Sequence, residues 1–394
     1  MAMGDTNVGG GVFAKVDYNI TGGLAIKRET ATSLSVARYA LAATSVGNYA
    51  LFGGGETPSS SATIDAYDTS LVRTTPTALS VARANLAATR VGNYALFGGG
   101  NTGSSSAVVD AYDTSLVRTT PTALSVARNF LAATSVGNYA LFGGGVFSAT
   151  VDAYDTSLVR TTPTALSVAR YYLAATSVGN YALFGGGYTP SSSATVDAYD
   201  TSLVRTTPTV LSVARYFLAA TSVGNYALFG GGRDAASSAT VDAYDTSLVR
   251  TTPTALSVAR AILSATSVGN YAYFAGGQPT AGSSTASSTV DAYDASLVRS
   301  TPPTMTVQRA YLAGATIGNY ALFGGGSDAF GNTGTITSVV DAYSATLRIP
   351  IPAGSKHQFS PATTETTVGT QTTITLSAPI SGYVKHRKGT ITAI

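Results

Sequence analysis

The sequence predicts an all-β protein in which seven four-stranded blades form a ring, a β-propeller. Three observations support this prediction. A period of 42–49 residues recurs in seven copies through most of the 394-residue chain, and periods of this size are typical of propellers, solenoids or arrays. Short alternating strands separated by turn residues fill each copy, without any lasting helical periodicity. Four strands in a repeat of this length are typical of a propeller blade.

Three sequence markers define the copies. The segment GNYALFGGG, which becomes YAYFAGG in the sixth copy, begins at Gly47, Gly92, Gly137, Gly179, Gly224, Gly269 and Gly318. The segment DAYD, which becomes DAYS in the last copy, begins at Asp65, Asp110, Asp152, Asp197, Asp242, Asp291 and Asp341. An arginine precedes each copy, at Arg38, Arg83, Arg128, Arg170, Arg215, Arg260 and Arg309.

The fourth copy illustrates the four strands of a blade. Gly179 and Asn180 separate LAATSV from YALFG, and a Gly-Asn pair between two such runs is typical of a two-residue β-hairpin. ATVDAYD alternates as a third strand. A turn at Asp200 then leads into LVRTTP, a short fourth strand that a proline closes. We therefore expect four antiparallel strands in each copy.

These markers together resemble the kelch repeat. The resemblance lies in an apolar strand that ends in a Gly-Gly doublet, a Tyr in the next strand and an Arg that opens the following copy. It covers residues 23–348 and implies a kelch-like propeller, for which seven hairpins indicate seven blades. The chain departs from the kelch pattern at one place, because the usual Trp after the Tyr is absent and Val72 and its equivalents stand near it.

The spacing of two arginines predicts how the ring closes. Arg28 precedes Arg38 by the same interval as Arg73 precedes Arg83. The segment GLAIKR at 23–28 therefore takes the place of a fourth strand. We expect this N-terminal strand to complete the last blade and to remove an open sheet edge.

The residues outside 23–348 carry none of the markers. Residues 1–22 form an N-terminal extension. Residues 349–394 are expected to form a small C-terminal β appendage, or a segment that attaches the ring to a larger assembly. Within them, QTTITLSAPISGYVKH alternates like one or two strands around a Ser-Gly turn. An eighth blade that uses TTVGTQTTITL at 366–376 is the alternative.

Composition excludes several classes of partner. The net charge is +3, but basic and acidic residues balance between Arg38 and Arg348, which argues against the basic face of a nucleic-acid-binding protein. The chain has no cysteine and thus no disulfide or thiolate site. We expect neither a signal peptide nor membrane insertion, because the opening has no cationic start and no 18-residue apolar run occurs.

Candidate chemical sites within the repeat have structural explanations. The Gly triplets precede loops and strands rather than helices, so they are expected to allow close packing instead of binding phosphate. The DAYD carboxylates are expected to bond the backbone and the repeat arginines, with a calcium site as the alternative. Both histidines, His357 and His386, lie outside the ring. We predict a protein without cofactor, metal or enzymatic activity.

The copies differ mainly in the two residues after the repeat arginine and in the loop between the second and third strands. In an antiparallel blade both segments project from one face, and the residue pairs should surround the mouth of the central channel. Candidate ligand-binding residues in the pairs are Tyr39, Asn85, Asn129, Phe130, Tyr171, Tyr172, Tyr216, Phe217 and Tyr311. Candidates in the loops are Tyr188, Arg233, Asp234, Gln278, Asp328 and Phe330.

The Tyr, Asn, Ser and Gly content of this face is typical of recognition surfaces. Two alternatives stay open: exposed loops vary without a function, or one residue of each pair packs between blades. The repeats also resemble bacterial or bacteriophage proteins. We therefore expect an adhesin on a virion or cell surface that binds a glycan or a protein. A cytoplasmic kelch-type adaptor is the alternative, and a sugar-active propeller enzyme is the third reading.

Overall fold

The computed structural model describes residues 24–279, 285–329 and 334–352 and the strands at 363–368, 371–376, 384–387 and 390–393; side-chain burial is described within 26–345. All regular elements in these residues are strands. The described part of the chain accordingly holds no helix that could cross a membrane. Two compact units are present, Arg28–Tyr343 and a second unit from the residues before and after it.

Seven four-stranded blades form the first unit, as the sequence predicts, and β1 (Leu24–Ala31) precedes them. Blade 1 contains β2 (Ala42–Val46), β3 (Tyr49–Gly53), β4 (Ile64–Tyr67) and β5 (Arg73–Thr74). Blade 2 contains β6 (Ala87–Val91), β7 (Tyr94–Gly98), β8 (Val109–Tyr112) and β9 (Arg118–Thr119). Blade 3 contains β10 (Ala132–Val136), β11 (Tyr139–Gly143), β12 (Val151–Asp155) and β13 (Arg160–Thr161).

The remaining blades repeat this order. Blade 4 contains β14 (Ala174–Val178), β15 (Tyr181–Gly185), β16 (Val196–Asp200) and β17 (Arg205–Thr206). Blade 5 contains β18 (Ala219–Val223), β19 (Tyr226–Gly230), β20 (Val241–Asp245) and β21 (Arg250–Thr251). Blade 6 contains β22 (Ser264–Val268), β23 (Tyr271–Ala275), β24 (Val290–Asp294) and β25 (Arg299–Ser300). Blade 7 contains β26 (Ala313–Ile317), β27 (Tyr320–Gly324) and the first part of β28 (Val340–Pro352).

The fourth strand of blade 7 comes from the N-terminal side of the ring. β1 pairs with β28, as the arginine spacing predicts. Arg28 Nη1 lies 3.8 Å from Asp341 Oδ1. This contact occupies the same place in blade 7 as the 3.0 Å ion pair between Arg73 and Asp65 in blade 1. Leu322 of blade 7 and Phe52 of blade 1 belong to one buried hydrophobic cluster, so blade 7 packs on blade 1. The ring is therefore closed by strand pairing and by packing.

Adjacent blades pack through apolar side chains that meet a glycine backbone. Leu51 of blade 1 shares a buried cluster with Phe97 and Tyr112 of blade 2. A Cβ atom on Gly53 would lie only 2.6 Å from Phe97 Cε1. Glycine at this position lets the next blade's aromatic ring lie directly against the backbone, which is the close packing expected of the Gly triplets.

Each repeat arginine anchors the link between two blades. Arg170 is 1% exposed, and its Nη2 lies 2.7 Å from Asp197 Oδ2 and donates to the Phe184 carbonyl at 3.0 Å. Its own carbonyl accepts a hydrogen bond from the Gly145 amide of the preceding blade. Burial lowers the pKa of Arg170, and the Asp197 carboxylate opposes that shift. The arginine thus has the structural role that the sequence predicts, and it presents no charge to the channel.

The tyrosine of each DAYD marker holds the preceding link. The Tyr199 hydroxyl donates to the Thr164 carbonyl at 2.7 Å, and the ring is fully buried. Burial raises the pKa of this phenol, and the neighbouring Asp197 carboxylate adds to the rise. The second Asp of the marker forms the predicted turn, since Asp200 Oδ1 accepts the amides of Ser202 and Val204.

The second unit continues from β28 and contains β29 (Thr363–Val368), β30 (Gln371–Leu376), β31 (Val384–Arg387) and β32 (Thr390–Ala393). β30 pairs with β29 and with the end of β28, while β31 pairs with β32. The alternative of an eighth blade is wrong, because the ring has seven. Residues 1–22 and the Ser-Gly turn at 381–382 lie outside the described residues. β28 runs across the domain boundary expected at 348–349, and that boundary stays a prediction.

Removal of the buried arginine should be far more costly than removal of its exposed counterpart. We expect Arg170→Met to lower the free energy of unfolding by about 3–5 kcal/mol, because Asp197 is left buried without its main partner. Arg205 also pairs with Asp197, at 3.5 Å, but its side chain is 25% exposed. Arg205→Met should therefore cost at most about 1 kcal/mol. Urea unfolding of both variants checks this, and equal losses would contradict the role assigned to Arg170.

The buried tyrosines predict alkaline unfolding. In the unfolded chain a tyrosine loses its proton near pH 10, whereas the raised pKa keeps Tyr199 and its equivalents protonated in the fold. Above about pH 10 the unfolded chain thus binds fewer protons. Each buried tyrosine should lower the free energy of unfolding by up to about 1.4 kcal/mol per pH unit. Urea unfolding across this range measures the slope, which should become shallower in Tyr199→Phe; an unchanged slope would contradict the prediction.

Candidate functional site at the channel mouth

The two faces of the propeller carry different segments. The Gly-Asn turns and the Asp turns lie on one face, here called the invariant face: a Cβ atom on Gly47 would lie 3.1 Å from Thr114 in the Asp turn of blade 2. The links between blades and the loops after the Gly triplets lie on the opposite face, the variable face. There Tyr171 of a link and Tyr188 of a loop exchange both backbone hydrogen bonds, at 3.0 and 2.7 Å.

The two residues after each repeat arginine have separate roles. The first residue forms such a bridge to its loop in six blades, as Tyr39 does with Glu56 and Tyr216 with Arg233. The second residue has a left-handed backbone with φ between +52° and +58°. These second residues are Ala40, Asn85, Phe130, Tyr172, Phe217, Ile262 and Tyr311.

The second residues form a closed backbone ring. Each amide donates to the carbonyl of the equivalent residue in the preceding blade: Asn85 to Ala40, and so on round to Ala40, which donates to Tyr311 at 3.0 Å. Seven hydrogen bonds of 2.9–3.2 Å complete the circle. Left-handed backbone costs a non-glycine residue on the order of 1 kcal/mol or more. Although glycine is common in this chain, none of the seven positions has it, so each position presents a side chain.

These side chains surround the mouth of the central channel on the variable face. A cavity of about 200 Å³ opens there, and it is lined by the seven second residues and by the leucine that follows each of them. Burial raises the pKa of Tyr172 to about 12, with the neighbouring Tyr171 contributing. Burial likewise raises the pKa of Tyr311. Both phenols therefore stay protonated at neutral pH and can donate hydrogen bonds at the mouth.

Aromatic side chains are concentrated over blades 3 to 5. Six rings form what we call the aromatic patch: Phe130, Tyr171, Tyr172, Tyr188, Tyr216 and Phe217. The ring centroid of Tyr172 lies 3.8 Å from that of Phe217 and 4.5 Å from that of Phe130. Tyr188 lies 5.0 Å from Tyr216 and connects the outer rings. The patch is contiguous and crosses three blades.

Arg233 lies over this patch. Its guanidinium carbon is 5.2 Å from the Tyr216 ring centroid and 5.0 Å from that of Phe217. A guanidinium at this distance from an aromatic face is attracted to the ring, and the contact holds the arginine near the mouth. The cluster therefore combines flat apolar faces with a cation and with phenol hydroxyls.

Other predicted site residues lie apart from the patch. Tyr39 and Tyr311 form an edge contact at 5.9 Å on the blade 7 and blade 1 side of the mouth. Burial raises the pKa of Tyr39 to about 12, and the charge and hydrogen bond of Glu56 add to it. Asn85 lines the mouth, whereas Asn129 is buried, with 8% of its surface exposed.

The loop candidates occupy different environments. Asp234 is exposed and accepts a hydrogen bond from Ser192 Oγ at 2.6 Å. Asp328 accepts the Thr335 amide within its own loop. Gln278 is fully buried and cannot contact a ligand in this conformation. Phe330 lies outside the described residues.

One exposed residue was missed in the sequence. Phe147 stands in the short loop of blade 3, where it is 93% exposed with φ +57°. The neighbouring Val146 amide bonds to the Asn129 carbonyl, which places this loop beside the link that carries Phe130. The shortened loop was the only signal for it. A nearly fully exposed phenylalanine gives the fold little, so it adds to the candidate contact surface.

Neither a protein-family model nor a curated protein sequence matches the chain. Among the described residues there is also no group of three or more His, Cys, Asp or Glu side chains that could hold a metal ion. Function is therefore inferred from the geometry of the variable face.

The backbone ring predicts an unusual response to glycine. Ala40→Gly should leave the free energy of unfolding unchanged or raise it by up to about 1 kcal/mol, because glycine adopts φ near +52° without strain. Ala165, which lies in an exposed link and has no positive φ, provides the control. Ala165→Gly should lower the free energy by up to about 1 kcal/mol. A larger loss in Ala40→Gly than in Ala165→Gly would show that the strain argument is wrong.

Proposed function

We propose that the protein is a non-enzymatic binding protein, a kelch-like propeller that recognises a carbohydrate through its variable face. The observation that supports this proposal is the aromatic patch, a contiguous set of six rings beside an open channel mouth. Large rings with few rotatable bonds contact a ligand at low entropic cost. Their faces suit the C–H surface of a sugar ring, and the phenol hydroxyls and Arg233 offer donors to its hydroxyl groups.

The distribution of side chains also favours recognition over drift. In the pairs after the repeat arginines, aromatic residues are concentrated in blades 3 to 5, whereas blade 2 has Ala84 and Asn85. The scaffold thus accepts small residues in the pair. Half-buried rings of this size, and above all the exposed Phe147, are not needed to build a blade. A binding role accounts for their presence on one side of the mouth.

A surface location fits this proposal. The protein acts as an adhesin or receptor-binding component of a virion or cell surface, with the cell-surface glycan as its partner. The residues of 349–394 attach it to a larger assembly. If the bound partner proves to be a peptide or protein from the cell interior, the cytoplasmic adaptor is favoured instead. Turnover of a bound sugar would favour the propeller enzyme.

Phe147 allows the sharpest test, because its loss should not disturb the fold. On a glycan and cell-surface array we expect the native protein to bind and Phe147→Ser to bind about tenfold more weakly or worse, with an unchanged unfolding midpoint. Tyr171→Ala and Tyr216→Ala should abolish binding, since each removes a ring of the aromatic patch.

Val159 provides the matched control. It belongs to the same blade as Phe147 and is 57% exposed, but it follows the Asp turn of the invariant face. Val159→Ser should bind like the native protein. Binding that survives all three aromatic substitutions, or that is lost equally in Val159→Ser, would exclude the variable face as the recognition surface.

A further inference from the structure

The inner strands of the seven blades differ at one charged position. The residue two places before the Gly-Asn turn is Ser or Thr in six blades, as at Ser45, Ser135 and Thr316. In blade 2 it is Arg90, on β6. The neighbouring residues of this strand match those of the other blades, so the arginine is a single substitution in a repeated element. A charge placed once in a sevenfold ring creates a local site.

Arg90 lines a second cavity, which lies at the invariant-face end of the channel. This cavity has a volume of about 220 Å³ and is separate from the one at the variable-face mouth. Its walls are the alanine, threonine and serine residues of the inner strands. Thr44, Thr89 and their equivalents contribute one hydroxyl in each of six blades.

The only formal charge among the residues that line this cavity is positive. Arg90 is the sole charged residue among its lining residues, and no carboxylate lies in the wall. In contrast to the repeat arginines, Arg90 is exposed and makes no ion pair or hydrogen bond with other described residues. The Asp113 carboxylate on the same face is occupied by the amides of its own turn, Ser115 and Val117. The guanidinium therefore faces hydroxyl groups in a cavity without a counter-charge.

Hydroxyl groups here can turn their protons toward a bound anion. Thr266 and Thr316 are the exception, because their hydroxyl oxygens lie 2.9 Å apart and Thr316 donates its proton to the Ser267 carbonyl. A guanidinium presents paired N–H donors that match the oxygens of phosphate, sulfate or carboxylate. A ring of rotatable hydroxyls around one guanidinium suits a small oxyanion, which it can contact from several blades at once.

We propose that the invariant-face end of the channel is a binding site for one small oxyanion, held by Arg90 and by the threonine hydroxyls. The anion is free phosphate or sulfate, or a carboxylate supplied by a protein partner. The site is independent of carbohydrate recognition at the opposite mouth. It gives the otherwise uniform face a single point of attachment.

The other blades supply the ideal variant, since Arg90→Ser restores the residue that most copies have. We expect isothermal titration calorimetry to detect one bound sulfate, phosphate or acetate per native chain. In Arg90→Ser the affinity should fall roughly tenfold or more, because a charge-assisted hydrogen bond is lost. Acetate stands for a carboxylate from a protein, and a clear preference for it over the inorganic anions identifies that source.

Thermal unfolding provides the control for general salt effects. Sulfate stabilises many proteins without a site, so only the difference between native protein and Arg90→Ser reports specific binding. Arg90→Lys, which keeps the charge but loses the fork of donors, should bind with intermediate affinity. Tyr171→Ala should bind the anion normally. Equal anion affinity in native protein and Arg90→Ser, or no saturable binding by the native protein, would overturn the proposal.

Discussion

The ring depends on a buried ion pair that occurs once in each blade. In blade 4 this is Arg170 with Asp197, at 2.7 Å and almost without solvent contact. Burial of two charges costs several kcal/mol each, and a buried pair regains this only with good geometry and further hydrogen bonds. The Asp197 carboxylate has such bonds from the Ser167 amide and from Arg170, but Arg170 Nε and Nη1 make none with the described residues. The pair is thus better understood as a device that fixes the path of the link than as a large net stabilisation.

Because the ion pair fixes the link, the residues that build the scaffold are separate from the residues that vary at the channel mouth. Beyond Arg170 the chain must turn at the mouth with φ near +55°, and the backbone hydrogen-bond ring holds it there. The backbone at this point is set by the neighbouring blades, not by its own side chains. Tyr, Phe, Ile, Asn and Ala therefore all fit the same conformation. Recognition can use these positions because the ion pair and the backbone ring already hold the blade.

Local sequence signals predicted most of the fold. The Gly-Asn hairpins, the Asp turns and the place of Arg28 in blade 7 each follow from a few neighbouring residues and their spacing. The left-handed ring was not predictable in this way, since its hydrogen bonds join residues from separate blades and its seven positions are occupied by five different residue types. The burial of Gln278 was not predictable from local signals either, and the sequence grouped this residue with exposed loop residues.

The candidate site was predictable in outline but not in detail. Variation among the copies indicated the variable face and included all six members of the aromatic patch among the candidates. It could not show that the first residue of a pair bridges to its loop while the second lines the mouth, because both positions vary alike. Phe147 and Arg90 had visible signals, a shortened loop and one charged residue in a uniform strand. Their exposure became clear only from the packing around them.

The most direct test exchanges the variable pairs between blades and leaves the scaffold intact. A variant that carries the blade 2 pair, Ala84-Asn85, in place of both Tyr171-Tyr172 and Tyr216-Phe217 should keep the native circular dichroism spectrum and an unfolding midpoint close to that of the native protein. It should lose glycan binding completely. A variant that fails to fold would contradict the separation of scaffold from recognition, and one that folds and still binds would contradict the role of the aromatic patch.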